Sequence, residues 1–160
     1  MARLKGIGSL LAIVIGVLLV LRLVHVMLPI VYPLSDPGPF VLDRIEQVAR
    51  IAGFEPYVPF YRPDLLGTAP PQIVVTRAQV AEVTLSWSGR HSLVIKQRPA
   101  LDKPRAVAAA EPVEGIDDAL WWTNGATMEA MVWRRGIVIS LRSDLPREQL
   151  RRVILSLKAG

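Results

Sequence analysis

"EVTLSWSGRHSLVIKQR", residues 82–98, alternates apolar and polar side chains on either side of a short Ser-Gly-Arg turn. Alternation with a period of two is typical of a β-strand that buries one face, because successive side chains of a strand point to opposite sides. The stretch therefore predicts two antiparallel strands joined by a tight turn. The apolar side chains predicted to share one face are Val83, Leu85, Trp87, Leu93 and Ile95.

A second strand pair is predicted at "ALWWTNGATMEAMVW", residues 119–133, where the dipeptide Asn124-Gly125 is a strong hairpin signal. "IVISLR", residues 137–142, follows a further turn and predicts another strand. Residues 99–118 stay unassigned, because "AVAAA" fits a strand while the remainder of the segment fits a loop.

Helical patterns flank these strands. "FVLDRIEQVARIAGF", residues 40–54, predicts an amphipathic helix that ends at Gly53, and residues 144–160 predict a helix with a proline in its first turn. Residues 54–71 contain five prolines and predict an extended surface segment. One helix before and one helix after the strands predict an α+β domain over residues 40–160, with an antiparallel sheet covered by helices on one face.

The composition limits the classes of function. Mean hydropathy is +0.35, and most of the apolar excess lies in the first 34 residues. The formal charge is +5, but the 16 basic residues that follow residue 35 are matched by 14 acidic ones, so the surface is mixed. No nucleic-acid partner is therefore expected. The chain has no cysteine, which excludes disulfides, thiolate nucleophiles and cysteine-ligated metals.

The N-terminal part of the chain reads as a membrane span. Residues 7–28 carry one charged side chain, Arg22, and would extend about 33 Å as a helix, enough for a bilayer core of about 30 Å. The run ends in "MLPIVYPLSDPGP", which has bulky residues where signal-peptide cleavage needs small ones. Residues 7–34 are therefore predicted to form an uncleaved transmembrane signal-anchor helix in the lipid bilayer.

The charges around this span predict its orientation. Arg3 and Lys5 precede it, so the positive-inside rule predicts a cytoplasmic tail at residues 1–6. A linker at residues 35–39 follows the span, and the α+β domain is predicted to lie outside the cytoplasm. The predicted location is the cell membrane, in a single-pass arrangement.

Two features of the span suggest neighbours. Gly8, Ala12 and Gly16 recur every four residues, a spacing that favours close packing against another membrane helix. Arg22 and His25 share one helix face. They fit either the approach to the outer headgroups or a polar face toward a partner. His25 is also a candidate axial ligand for a tetrapyrrole; no other cofactor is expected.

Catalysis has little support in the sequence. His91, in "SWSGRHS", is the one histidine beyond the span, and no G-x-S-x-G motif accompanies it, so neither a nucleophile–base pair nor a zinc site is predicted. The acidic residues between Glu111 and Asp118 lack the spacing of an EF-hand. There is no glycine-rich phosphate loop. The protein is predicted not to be an enzyme.

Aromatic residues are the candidate interface of the exported domain. Trp121 and Trp122 are adjacent and must face opposite sides of any strand that they share. Exposed aromatic area often marks a binding surface, although the tyrosines and phenylalanine of the proline-rich segment also fit a role in clasping the domain. The candidates are Tyr57, Phe60, Tyr61, Trp121, Trp122 and Trp133.

Three stretches, "PYVPFYRPDLL", "VTLSWSGRHSLVIKQRP" and "ATMEAMVWRRGIVISLRSDLPREQLRRVILSL", are similar in order and pattern to a known family. It is a domain family of unknown function found in extracytoplasmic parts of bacterial anti-sigma factors and related membrane-anchored proteins. The resemblance covers residues 55–158 and implies a non-catalytic α+β domain used for sensing or binding outside the cytoplasm. With only residues 1–6 ahead of the span, binding of a sigma factor is not expected.

Two functions remain open from the sequence. The first is an accessory or assembly subunit of a larger membrane complex, whose partners are other membrane-protein subunits contacted through the span and the exported domain. The second is a stand-alone, membrane-anchored module that senses or binds a lipid or an envelope polymer. A groove in the exported domain is required by the second function.

Overall fold

The computed structural model describes residues 16–22, 38–104, 107 and 109–160. The chain divides into two compact units, Met1–Asp36 and Pro37–Gly160. In the first unit, residues 16–22 are helical with exposed side chains. Within the described residues, no helix is both long and apolar enough to cross a membrane. Of the residues singled out in the span, two are described, Gly16 and Arg22, and three fall outside the described part: Gly8, Ala12 and His25.

The second unit is built on an antiparallel sheet of eight strands, in the order β1-β3-β4-β5-β9-β8-β7-β6. Two further strands, β2 and β10, form a small antiparallel pair of their own. The strands are β1 (Phe40–Leu42), β2 (Tyr57–Pro59), β3 (Gln72–Arg77), β4 (Ala81–Ser88), β5 (Ser92–Pro99), β6 (Glu111–Pro112), β7 (Ala119–Asn124), β8 (Thr127–Arg134), β9 (Ile137–Ser143) and β10 (Leu157–Ala159).

Both predicted hairpins are present, and their registers follow from the alternation of apolar residues. In the β4–β5 pair Leu85 lies opposite Ile95, so the two apolar sets meet on one face. In the β7–β8 pair the turn falls at Gly125, whose φ of 61° is in the left-handed region that glycine adopts without strain. Such registers place every second side chain of the central strands in one core.

Two helices cover one face of the sheet, which we call the inner face. Helix α1 (Glu46–Ala52) buries Val48, and helix α2 (Arg147–Leu155) buries an apolar face; both join the same hydrophobic cluster as the sheet. Helix α1 ends at Gly53, as predicted, with φ of 79° and its N–H bonded to the carbonyl of Ala49 at 2.9 Å. The second unit is thus an α+β domain with a mainly antiparallel sheet.

The ends of both predicted helices differ from the structure. Phe40–Leu42 forms β1, because the half-buried Phe40 and Leu42 flank Val41, which is 64% exposed, and this period of two fits a strand. Helix α2 ends at Leu155, after which the chain continues as β10 against β2. The helices are therefore enclosed by strands, instead of flanking all of them as predicted.

A buried glutamine joins the small strand pair to the large sheet. Gln97 lies on the inner face and is fully buried. Its Nε2 donates to the carbonyl of Tyr57 at 2.8 Å, and its Oε1 accepts from the N–H of Tyr57 at 2.6 Å. One side chain thereby satisfies both backbone groups of a β2 residue. The proline-rich segment is fixed at this point, and residues 99–118 supply the short edge strand β6.

Candidate functional site

The face of the sheet opposite the helices, the outer face, carries partly exposed apolar side chains. Trp122 and Met131 lie on it, because Trp121, Ala130 and Val132 beside them in the chain point inward and are buried. An apolar residue in the polar phase of a strand is unusual, since that phase normally faces water. The outer face is therefore more apolar than a purely solvated surface.

Strands β5, β7, β8 and β9 together form a groove on this face, the outer-face groove, with a volume of about 410 Å³. Apolar side chains make up most of its floor, while charged side chains stand at its rim. The side chains that define it are Val94, Lys96, Trp122, Glu129, Met131, Ser140 and Arg142.

The rim of the outer-face groove carries both signs of charge in fixed positions. Arg142 lies 4.0 Å from Glu129, and Lys96 lies 3.5 Å from Glu82. Glu129 is also held by Asn124, whose Nδ2 donates to it at 2.8 Å. Glu129 is partly buried while the other three charged side chains are more exposed, so these ion pairs contribute little to stability; they set a charge pattern of both signs at the rim.

A second hollow of about 390 Å³ adjoins the first, because Met131 lines both. Trp133 and Leu120 form its apolar part, and Lys103, Asp117 and Asp118 lie at its margin. The N–H of Trp133 donates to the carbonyl of Asp118 at 3.0 Å, which holds the loop before β7 against β8. The half-exposed apolar surface thus continues from Trp122 across Met131 to Trp133.

The aromatic candidates from the sequence are divided between the core and the surface. Trp121 and Tyr57 belong to the core, at 5% and 7% exposure, and Arg147 lies over the Trp121 ring at 4.2 Å. Tyr61 packs partly buried against the core. Phe60 is 84% exposed, with the Lys158 ammonium 5.0 Å from its ring centroid. Trp122 and Trp133 remain as partly exposed aromatics of the outer face.

His91, Ser92 and Asp144 meet at a corner of the sheet, but their contacts do not form a nucleophile–base arrangement. Asp144 Oδ1 accepts from the Ser92 N–H at 2.6 Å and from Ser92 Oγ at 3.2 Å. His91 Nδ1 lies 3.6 Å from the same carboxylate and 3.0 Å from the Asp144 carbonyl. The serine therefore donates to the acid, whereas catalysis requires it to donate to the histidine.

The lowered pKa of Asp144 is consistent with a structural role for this corner of the sheet. The Ser92 N–H that bonds to Asp144 lowers the pKa of that carboxyl below its ordinary value. Ser143 extends the contact, because its hydroxyl donates to the Ser92 carbonyl at 2.6 Å and accepts from the Leu145 N–H at 3.1 Å. Across the described residues, no group of three or more His, Cys, Asp or Glu side chains could hold a metal ion.

A larger hollow, of about 790 Å³, lies beside α1. It is bordered by Arg44, Glu46 and Arg50, which are exposed, and by Pro70 and Pro71 of the proline-rich segment. Among the described residues, no aromatic side chain lines it, and its charged groups are exposed. Size alone does not mark a site; the outer-face groove combines aromatic surface with convergent charges.

No family model matches the chain, and no curated protein is detectably similar to it.

Sequence reasoning missed most of the outer-face groove. It singled out Trp122 and Trp133, but not Val94, Met131 or Arg142. One signal in the sequence could have found them: Val94 and Met131 are apolar residues at strand positions where the apolar–polar alternation predicts a polar one.

Proposed function

We propose that this protein is a non-catalytic, single-pass membrane protein that acts as an accessory or assembly subunit of a larger membrane complex. Its N-terminal apolar helix anchors it in the cell membrane, and its α+β domain binds a partner subunit outside the cytoplasm. The observation that carries the proposal is the outer-face groove, where Trp122 and Met131 are partly exposed beside ordered charges of both signs.

Membrane anchoring rests on the sequence. Residues 7–28 are long and apolar enough to span, and the basic residues ahead of them favour an external domain. The spacing of Gly8, Ala12 and Gly16 favours contact with another helix in the bilayer. A subunit that meets its partner both inside and outside the membrane fits these features together.

The chemistry of the outer-face groove supports a protein partner. Tryptophan, methionine and arginine are enriched in protein interfaces, and Trp122, Met131 and Arg142 lie together here. Glu129 and Arg142 could each bind a group of opposite charge on a partner. The neighbouring hollow around Trp133 extends the apolar area, as expected for a surface larger than one small ligand needs.

The test is isolation of the tagged full chain from its native membrane in mild detergent, with measurement of the mass and composition of what accompanies it. We expect an assembly of fixed stoichiometry. Replacing Trp122 and Met131 by aspartate places two charges in the apolar floor and is expected to release the partner. Gln72→Asp is the matched control, because Gln72 is exposed on the same face but outside the outer-face groove.

The span is tested separately by replacing Gly8, Ala12 and Gly16 with isoleucine, which we expect to weaken the same association. Unchanged association after this triple replacement would remove the span from the proposal. Unchanged association after the two aspartate replacements would remove the outer-face groove from it.

A second function, a stand-alone membrane-anchored module that binds a lipid or envelope polymer, is favoured by one observation. The volume of about 410 Å³ lies within the range of small-ligand sites. A monomeric chain in the detergent micelle, with no accompanying protein, would favour this second function over the first.

A further inference from the structure

One end of the large sheet, which we call the proximal end, is where the chain arrives in the domain. Phe40 pairs with Val75 in an antiparallel register, so β1 begins at the end of the sheet where Arg77 and the turn at residues 78–80 lie. The β8–β9 turn at Arg135 lies at the same end, because Ile137 pairs with Pro99, and β5 ends beside the start of β4. The opposite, distal end carries the turns at residues 89–91 and 125–126.

Apolar side chains protrude at the proximal end. Leu101 is fully exposed, Val80 is 49% exposed and Phe60 is 84% exposed. The position of Leu101 follows from the preceding residue, since the N–H of Ala100 donates to the carbonyl of Gly136 at 2.9 Å. The distal turns contain none of the large, exposed apolar side chains in the described part of the chain.

Basic side chains accompany these apolar tips. Arg135 and Lys158 line one shallow hollow, and Lys158 lies 5.0 Å from the Phe60 ring. Among the described residues, neither of these bases nor Arg98 has a carboxylate within ion-pair distance, and Arg98 and Arg135 are exposed.

The acidic groups of this end leave an excess of positive charge. Asp117 and Asp118 line the same hollow, and the exposed Asp102 follows Leu101. However, Asp118 is engaged by Lys103, and Glu82, at the start of β4, is engaged by Lys96. Arg134 adds a further base, whose guanidinium donates to the Leu157 carbonyl at 2.7 Å. Exposed apolar tips beside unpaired bases are the combination that inserts into an anionic lipid interface, where the bases meet phosphates and the apolar tips reach below them.

We propose that the proximal end of the domain rests on the anionic surface of the bilayer, with Arg98, Arg135 and Lys158 on lipid phosphates and Leu101 and Phe60 in the interface. The inference rests on the proposed membrane anchoring, because β1, the first strand after the apolar segment in the sequence, begins at this end. Contact with lipid would fix the orientation of the domain and leave the outer-face groove free for a partner.

The chain has no cysteine, so single-cysteine variants provide unique labelling positions. Leu101→Cys reports on the proximal end and Arg90→Cys, in the β4–β5 turn, on the distal end. The full chain is reconstituted into vesicles of phosphatidylcholine, alone or mixed with phosphatidylglycerol, and labelled with an environment-sensitive fluorophore. Quenching by lipids that carry a headgroup nitroxide is then measured.

We expect quenching at position 101 to exceed that at position 90 by about twofold or more, and to be greater in the anionic vesicles. The additional quenching should be lost at 1 M salt, where the Debye length falls to about 3 Å. Replacing Arg98, Arg135 and Lys158 with glutamate should lower quenching at position 101, while Arg90→Glu should leave it unchanged.

The outcomes separate the two proposals. If the chain does not float with vesicles after an alkaline wash, membrane anchoring itself is overturned. If the chain floats but positions 101 and 90 are quenched equally, anchoring stands and the lipid contact of the proximal end is overturned. Equal quenching at position 101 in neutral and anionic vesicles would overturn the assignment of the bases to anionic lipid.

Discussion

The inner and outer faces of the sheet are formed by the same strands, yet they differ in packing and in accessibility. Inward-facing Ile95 and Leu141 are at most 2% exposed, and the buried Gln97 forms a hydrogen bond through each end of its amide. Outward-facing Val94 and Ser140, their neighbours in sequence, remain partly exposed. Along each strand, the inward-facing residues therefore stabilise the fold, and the outward-facing residues between them are accessible for binding.

Trp121 and Trp122 give the sharpest comparison, because they are adjacent and point to opposite faces. Trp121→Ala removes a buried ring and is expected to destabilise the domain by about 3–5 kcal/mol. Trp122→Ala, at a partly exposed site, is expected to cost about 1 kcal/mol. Urea unfolding of the full chain in detergent, followed by far-ultraviolet circular dichroism, measures both changes.

Partner association reverses the ranking of these two variants. Without urea and at low temperature, where both variants are folded, Trp122→Ala should weaken co-isolation of the partner more than Trp121→Ala does. Equal losses of stability from the two replacements would contradict the separation of the faces.

Gln97 tests the inner face from its polar side. Gln97→Leu keeps the size of the side chain but leaves the N–H and carbonyl of Tyr57 without their partner, so we expect a loss of about 3 kcal/mol. Lys96→Leu is the matched control on the outer face. It removes an exposed ion pair with Glu82 and should change stability by less than about 0.5 kcal/mol. Midpoints of urea unfolding compare the two, and a neutral Gln97→Leu would show that β2 is held by other contacts.

The parts of the fold that sequence predicts well depend on local pattern. The β4–β5 and β7–β8 hairpins follow from alternation and from Asn124-Gly125, and helix α1 ends at the predicted glycine. Strands β2 and β10 were missed because Tyr57 pairs with Ala159, far along the chain, and no local pattern encodes that contact. The sequence predicts helix where β1 lies, because three residues are too few to establish the period of a strand.

The site was less predictable than the fold. Adjacency alone requires that Trp121 and Trp122 face opposite ways, but which one points inward depends on the register of β7 with β8. The outer-face groove needs Val94, Met131 and Ser140 from three strands to come together, which is a property of strand order. Sequence provides the side chains, and the sheet topology decides which of them become neighbours.

The smallest effect on stability is expected at the distal corner of the sheet, where the exposed Asp144 follows the buried Ser143. The Ser92 N–H lowers the pKa of Asp144, so the ionised carboxylate stabilises the folded state above its ordinary pKa of about 3.9. That stabilisation is lost as pH falls through the lowered value. Because the Asp144 side chain is 40% exposed, solvent screening limits the contribution to about 0.3 kcal/mol.

Asp144→Asn should therefore lower the urea midpoint slightly at pH 7, and the difference from the unaltered chain should shrink as the solution is acidified below the ordinary aspartate pKa. Ser92→Ala is the control: it removes the hydroxyl contact at 3.2 Å but keeps the shorter backbone N–H bond at 2.6 Å. Most of the pH dependence should survive in Ser92→Ala, since the backbone N–H is the main cause of the lowered pKa. A difference that grows on acidification would mean that the carboxylate destabilises this corner, and that the hydrogen bond from Ser92 does not offset the loss of its hydration.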